Sequence, residues 1–321
     1  MPLFFVLSGL SAYYALSFQT ARRYVWSKVL RLIVPLVFGM FTHVSYQVYL
    51  ERLTHGDFSG SFLEFLPHYF EGGYGLGGNF AWMGLHLWYL EMLFVYSLLM
   101  LPLFLLLRSR RIQPAISWLA GSLTRHGVIF LLAVPAVVMK LISDTQDNFL
   151  GDEPWGGWSM LSHLAFFVTG YFIALDSRLI SSIERHRIPA LTMALTAFVT
   201  LYVCTLSPAG QRFLGTSAGS VARVLHTWFW LTAMMGFAHR YLTSTNGFLR
   251  YANEAVLPFY ILHQTIILII GYYIVQLNAP VVLKYVLVMM LSFAAIATLY
   301  ETLIRRFNVL RFLFGMKLKH S

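Results

Sequence analysis

Nine predominantly apolar stretches, at 2–18, 32–50, 85–107, 128–143, 159–175, 189–206, 221–238, 256–275 and 280–304, recur along the 321-residue chain between short charged loops. About 17 to 25 apolar residues is the length a helix needs to cross the roughly 30 Å hydrocarbon layer of a bilayer. The predicted fold class is therefore all-α: a polytopic membrane helix bundle of about nine transmembrane helices. Composition agrees, because 11% of the residues are charged and 58% hydrophobic, whereas soluble domains carry about 25% charge. No fixed-period repeat and no Pro- or Ser-rich linker divides the sequence, so residues 1–321 read as a single integral membrane domain.

The loops alternate in charge. Residues 19–31 hold Arg22, Arg23, Lys28 and Arg31 without an acid, whereas 51–84 holds Glu51, Asp57, Glu64 and Glu71 against Arg52 alone. Residues 108–127 hold four arginines, and 144–158 holds Asp144, Asp147, Asp152 and Glu153 without a base. The positive-inside rule then puts the odd-numbered loops and the C-terminus in the cytoplasm and residue 1 outside. The formal charge of +10 is thus a topology signal, and no nucleic-acid partner is expected. The chain opens on MPLFFVLSGL, already apolar and without a signal-peptide n-region. A first span that starts outside and is barely long enough leads us to expect an upstream tenth helix. Cys204 is the only cysteine, which excludes a disulfide framework and a thiolate metal cluster.

Polar residues in or at the ends of the spans are the informative ones: His43, His86, Glu91, Lys140, His163, His226, His263 and Glu301. His263 leads, because NEAVLPFYILHQTIILIIGYYIV (253–275) sets it deep in a lipid-grade run. Hydrocarbon cannot hydrogen-bond an imidazole, so the ring must face protein, a cavity or water. Glu91, in GLHLWYLEMLF, needs a positive or hydrogen-bonding partner, and His86 is near the i, i+4 spacing. Lys140 lies near a span end and reads as a snorkelling stem. Lys28 and Arg31, one turn apart, can bind phosphate by charge-assisted bonds or simply mark topology. Glu301 precedes Arg305 by four residues, the favourable order for a helical ion pair. The GGYGLGG segment (72–78) follows neither phosphate-loop pattern and reads as a flexible external loop, a lid over the third span. No Gly-x-Ser-x-Gly elbow or His-Glu-x-x-His zinc pair occurs, and no metal site is expected.

Several of these pieces together resemble one family. FFVLSGL, then Arg22, Arg23 and Lys28-x-x-Arg31 with Pro35, then HLWYL at 86–90, EAVLPFYILHQ at 254–264 and LYE at 299–301 are similar, in order, to the acyltransferase 3 family of integral membrane acyltransferases. The branch most resembled is that of periplasmic-glucan succinyltransferases. The resemblance implies about ten helices and an O-acyltransferase that moves an acetyl- or succinyl-class group from cytoplasmic acyl-CoA to a hydroxyl of an extracytoplasmic glycan or lipid-linked sugar. Membrane lipids surround it, and no bound cofactor is implied, acyl-CoA being the donor substrate. It further implies a base histidine on a first helix that would lie upstream of residue 1. His263, Glu91, His86 and Glu301 are the candidate catalytic residues here, and Lys28, Arg31, Arg22 and Arg23 the candidates for the donor's phosphates. Two other readings share these features: a transporter or flippase of acyl or polysaccharide intermediates, and an inactive truncated family member.

Overall fold

All nine apolar runs are built from helix, and the described residues form no strand beyond two isolated bridges, Gly73 with Phe80 and Tyr74 with Gly78. The structure is a computed structural model describing residues 1–146, 151, 153, 156–244 and 246–319. Asp147 and Asp152 of the acidic loop lie outside the described residues. By length and composition four helices can cross a membrane: Ala21–Phe41, Arg187–Thr205, Gly247–Val275 and Val281–Ile304. They become six if two bent pairs each count as one span, and Pro2–Phe18 and Val128–Ser143 are shorter apolar helices. The protein is an all-α membrane helix bundle.

The breaks have local causes. Pro102 sits in the first turn of Leu101–Leu107, which bends by 51° from Leu85–Leu99, since proline fits a helix start and not its interior. Asp176, in extended backbone, accepts from the Arg178 N–H at 2.9 Å and starts Ser177–Arg185 at 105° to Met160–Leu175. The predicted span 32–50 is corrected in position. Its helix begins at Ala21, passes through a π-turn at Val29–Ile33, and stops at Phe41, while residues 44–55 form a separate helix. Pro35 explains the π-turn, because a residue without an N–H and with a bulky ring upsets the i→i−4 ladder one turn before it.

The chain divides into two compact units. The first holds Met1–Tyr24 and Val95–Ser244. Pro2–Phe18 and Met160–Leu175 cross there at reciprocal glycines: a Cβ on Gly9 would lie 2.0 Å from the Phe167 carbonyl oxygen, and one on Gly170 2.0 Å from that of Val6. Lipid supplies no hydrophobic drive between helices, so such backbone approach is a main source of attraction. Tyr171 stacks on Phe104 at 3.7 Å and donates to its carbonyl, and Tyr96 donates to Met160 at 2.6 Å. Lys140 does not snorkel. It is buried, ion-paired with Asp144, and its Nζ lies 2.8 Å from Glu153 Oε1. Two nearby carboxylates make burial cheaper than reaching for an interface.

The second unit holds Val25–Phe94 and Thr245–Ser321. Val44–His55 ends at Gly56, whose φ of 79° is the left-handed cap glycine permits. Ser61 and Glu64 form a capping box for Phe62–Tyr69. The glycine-rich segment, predicted as a flexible loop, is closed on itself: Tyr74 N–H donates to Phe80, Phe80 N–H to Gly72 and Asn79 N–H to Glu71, each at 2.9 Å. It is also tied to Val44–His55, with Arg52 donating to Asn79 at 2.9 Å and the Tyr74 hydroxyl to Glu51 at 2.7 Å.

Candidate active site

Three histidines meet in the second unit because three separate segments place them. His43 stands at the break between Ala21–Phe41 and Val44–His55, with Gln47 one turn further on the same face. His86 sits in a one-turn 3-10 helix, Leu85–Leu87, entered through Gly84 at φ 69° and Leu85 at φ 48°. A branched side chain at positive φ is strained, and the surroundings must hold it there. They do: Tyr260 donates its hydroxyl to the His86 carbonyl at 2.5 Å, and the His86 ring bonds to the Ile261 carbonyl at 2.9 Å. His263 and Thr265 follow on the same long helix, Gly247–Val275. The His86 ring centroid lies 6.0 Å from that of His43 and 5.4 Å from that of His263.

Carbonyl oxygens only accept, so hydrogen-bond partners assign the ring protons. His86 Nε2 donates to Ile261, which makes Nδ1 of the neutral ring an acceptor, and Gln47 Nε2 donates to it at 3.0 Å. The second amide hydrogen of Gln47 goes to Thr265 Oγ1 at 2.6 Å. Thr265 passes its own hydrogen to the nearer acceptor, His43 Nδ1 at 2.9 Å, rather than to the His43 carbonyl at 3.5 Å. His43 Nε2 then carries an N–H, and this buried donor has no partner among the described residues. His263 Nδ1 donates to the Tyr260 carbonyl at 2.6 Å, leaving its Nε2 as a lone pair. The array therefore holds an N–H on His43 Nε2 that meets no partner among the described residues and a lone pair on His263 Nε2. Gly39 leaves room beside the first, since a Cβ there would sit 3.1 Å from His43 Nε2 and 2.5 Å from Leu87 Cδ1.

The predicted residues are not all brought together. His86 and His263 are. Glu91 is not paired with His86, whose ring nitrogens are both taken, and its buried Oε2 has no partner among the described residues. Glu301 pairs with Arg305 at 3.1 Å in a separate polar cavity, away from the histidines in the hydrogen-bond network. Lys28 is half-buried and Arg31 exposed, both in the second unit, whereas the exposed Arg22 and Arg23 belong to the first. His163 lies against the Phe5 ring at 4.5 Å, and His226 accepts from Trp230 at 2.9 Å, so both serve packing in the first unit. Gln47 and Thr265 were not among the candidates. The only sequence signals for them are the i, i+4 spacing of Gln47 from His43 and the closeness of Thr265 to His263.

A family model described as an acyltransferase domain, that of the acyltransferase 3 family, matches residues 1–301. No curated protein and no solved structure gives a match.

Proposed function

Because the chain belongs to the acyltransferase 3 family, whose members are membrane acyltransferases, we propose that it moves an acetyl- or succinyl-class group from cytoplasmic acyl-CoA to a hydroxyl of an extracytoplasmic glycan or glycolipid. The bacterial inner membrane belongs to the same proposal and rests on the family, while an extracytoplasmic residue 1 and a cytoplasmic C-terminus rest on the alternation of loop charge. So does the periplasmic-glucan succinyltransferase branch, which rests on the HLWYL and closing Tyr-Glu blocks alone.

The observation that carries the proposal is the histidine array, with its His43 N–H and its His263 lone pair both lacking a partner among the described residues. Acyl transfer needs a base for the hydroxyl proton and a donor for the oxyanion. In our reading His263 Nε2 takes the acceptor's proton as its oxygen attacks the thioester carbonyl. The tetrahedral oxyanion receives the His43 Nε2–H, and collapse expels the thiolate, which recovers the proton from His263. Thr265, itself held by Gln47, sets the His43 tautomer and the Tyr260 carbonyl sets that of His263, and Glu91, whose buried Oε2 has no partner among the described residues, is proposed to belong to the same site. Lys28 and Arg31 are proposed to face the donor's phosphates.

Purified protein in proteoliposomes, given radiolabelled acyl-CoA inside and a glycan acceptor outside, should form labelled ester. His263→Ala and Glu91→Gln should abolish the label while leaving membrane expression intact. Label that crosses the bilayer without entering an ester would replace this reading with that of a carrier, and full transfer by both variants would remove the site.

A further inference from the structure

The C-terminal end of the second unit carries an open polar cavity of about 460 Å³ lined by Glu254, Glu301, Arg305, Arg306, Arg311 and Lys319. Its charges do not cancel. Glu301 is taken by Arg305 at 3.1 Å, and Glu254 by Arg311 at 2.5 Å. Arg306 uses its Nε only on the Glu301 carbonyl, at 3.2 Å, and the Lys319 ammonium pairs with no carboxylate among the described residues. Two positive charges therefore remain, on side chains that line one cavity.

Positive-inside topology alone asks for loose basic residues in a solvated tail. Here Arg305, Arg311 and the Lys319 backbone are held in place, while the Arg306 and Lys319 side chains are exposed at the cavity. Arg311 is 4% exposed and donates to the carbonyls of Lys317 and Arg305 as well as to Glu254, which folds the tail back over the helix end. The Asn308 amide then clamps Lys319 from both sides: its Oδ1 accepts from the Lys319 N–H at 2.9 Å and its Nδ2 donates to the Lys319 carbonyl at 3.2 Å. Arg305 is braced over the Tyr251 ring at 5.2 Å. Gly315, at φ 67°, brings the tail onto the π-turn that carries Arg31, since a Cβ there would lie 2.8 Å from the Arg31 carbonyl oxygen. Ordering long cationic side chains around a cavity costs conformational entropy, and a bound anion offsets that cost.

We propose that this cavity is a binding site for a phosphate monoester dianion, held by Arg306 and Lys319 against the fixed Arg305 and Arg311. A dianion matches the residual charge, and planar guanidinium groups suit phosphate oxygens. The phosphate can belong to a nucleotide-bearing acyl donor or to the headgroup of an anionic lipid. The first source rests on the acyl-CoA reading above. It is favoured by the helix that runs from Glu254 to His263, nine residues or about 14 Å of axis, which joins the cavity to the histidine array.

The test is binding to the purified full chain, with no transfer measured, so its outcome is independent of the catalytic reading. Coenzyme A and dephospho-coenzyme A differ only in the 3′-phosphate monoester. Wild type should bind the first at least about tenfold more tightly, as one charged hydrogen-bond set is worth, and Arg306→Gln/Lys319→Gln should erase the difference. If the two bind alike but nanodiscs containing phosphatidate retain the wild type and not the variant, the headgroup is the source and the site stands. Wild type and variant indistinguishable with both probes overturns it. Asn308→Ala, which releases Lys319 without removing a charge, should weaken binding less than the double substitution.

Discussion

Thr265→Val replaces a hydroxyl by a methyl of nearly the same shape, so its effect isolates the hydrogen bonds of a side chain that is 2% exposed. In the native site Thr265 Oγ1 accepts from Gln47 at 2.6 Å and donates to His43 Nδ1 at 2.9 Å. Valine orphans both partners, at about 1 to 3 kcal/mol each when they stay dry. The added methyl returns about 0.8 kcal/mol, so the folded state should lose at least about 1 kcal/mol. The effect on transfer should be larger. Without the threonine hydrogen nothing holds the proton on His43 Nε2, and losing one preorganised oxyanion donor costs about 10²- to 10³-fold in turnover. Thr265→Ser keeps the hydroxyl and should stay near wild type. The assay pairs acyl transfer per folded molecule with thermal unfolding, and ¹⁵N NMR of labelled histidine reads the His43 tautomer directly. A valine variant that unfolds earlier yet turns over normally per folded molecule would refute the donor role and leave the network purely structural.

Gly170→Val should abolish accumulation of folded protein, because its Cβ meets the Val6 carbonyl oxygen at 2.0 Å and a backbone atom cannot rotate aside. Fluorescence-detected size exclusion after mild heating checks this, and a wild-type profile would mean the helices do not cross there. Tyr74 is pushed up to about 12 by burial and by the Glu51 carboxylate. Its unfolded value is about 10, so the neutral phenol supports the loop fully below pH about 10, and that support is lost as the pH rises through 12. Hydrogen exchange of residues 72–80 should therefore quicken in that window for the wild type, whereas in Tyr74→Phe it should already be quick at neutral pH. Equal profiles would show that the Tyr74–Glu51 bond does not tether the loop.

What could be read without the fold was what nearest neighbours along a helix decide. The apolar runs became helices because hydropathy and backbone satisfaction act within one segment, and Glu301 met Arg305 because four residues bring side chains onto one face. The second span was misplaced by the same local logic, since apolarity runs smoothly through 32–50 while the turn at Thr42 and His43 interrupts the helix there. Lys140 read as a snorkelling stem although Asp144 stands four residues on, and its second partner, Glu153, is thirteen residues away in the chain and 2.8 Å away in space. His263 and His86 were visible as polar groups in lipid-grade surroundings, which made them suspects without giving them partners. His263 finds the Tyr260 carbonyl three residues away, whereas His86 and His43 are held by hydrogen bonds spanning 39 to 222 residues, through Gln47, Ile261 and Thr265. A glutamine and a threonine carry no signal until tertiary packing puts them between two imidazoles, and ring tautomers depend on which carbonyl happens to be near. Hydropathy and charge along the chain suffice to mark a helical membrane protein with titratable groups in its spans. Which of those groups face one another, and which atom of each holds the proton, follows from packing, because hydropathy is a property of a segment and a hydrogen bond is a property of a pair.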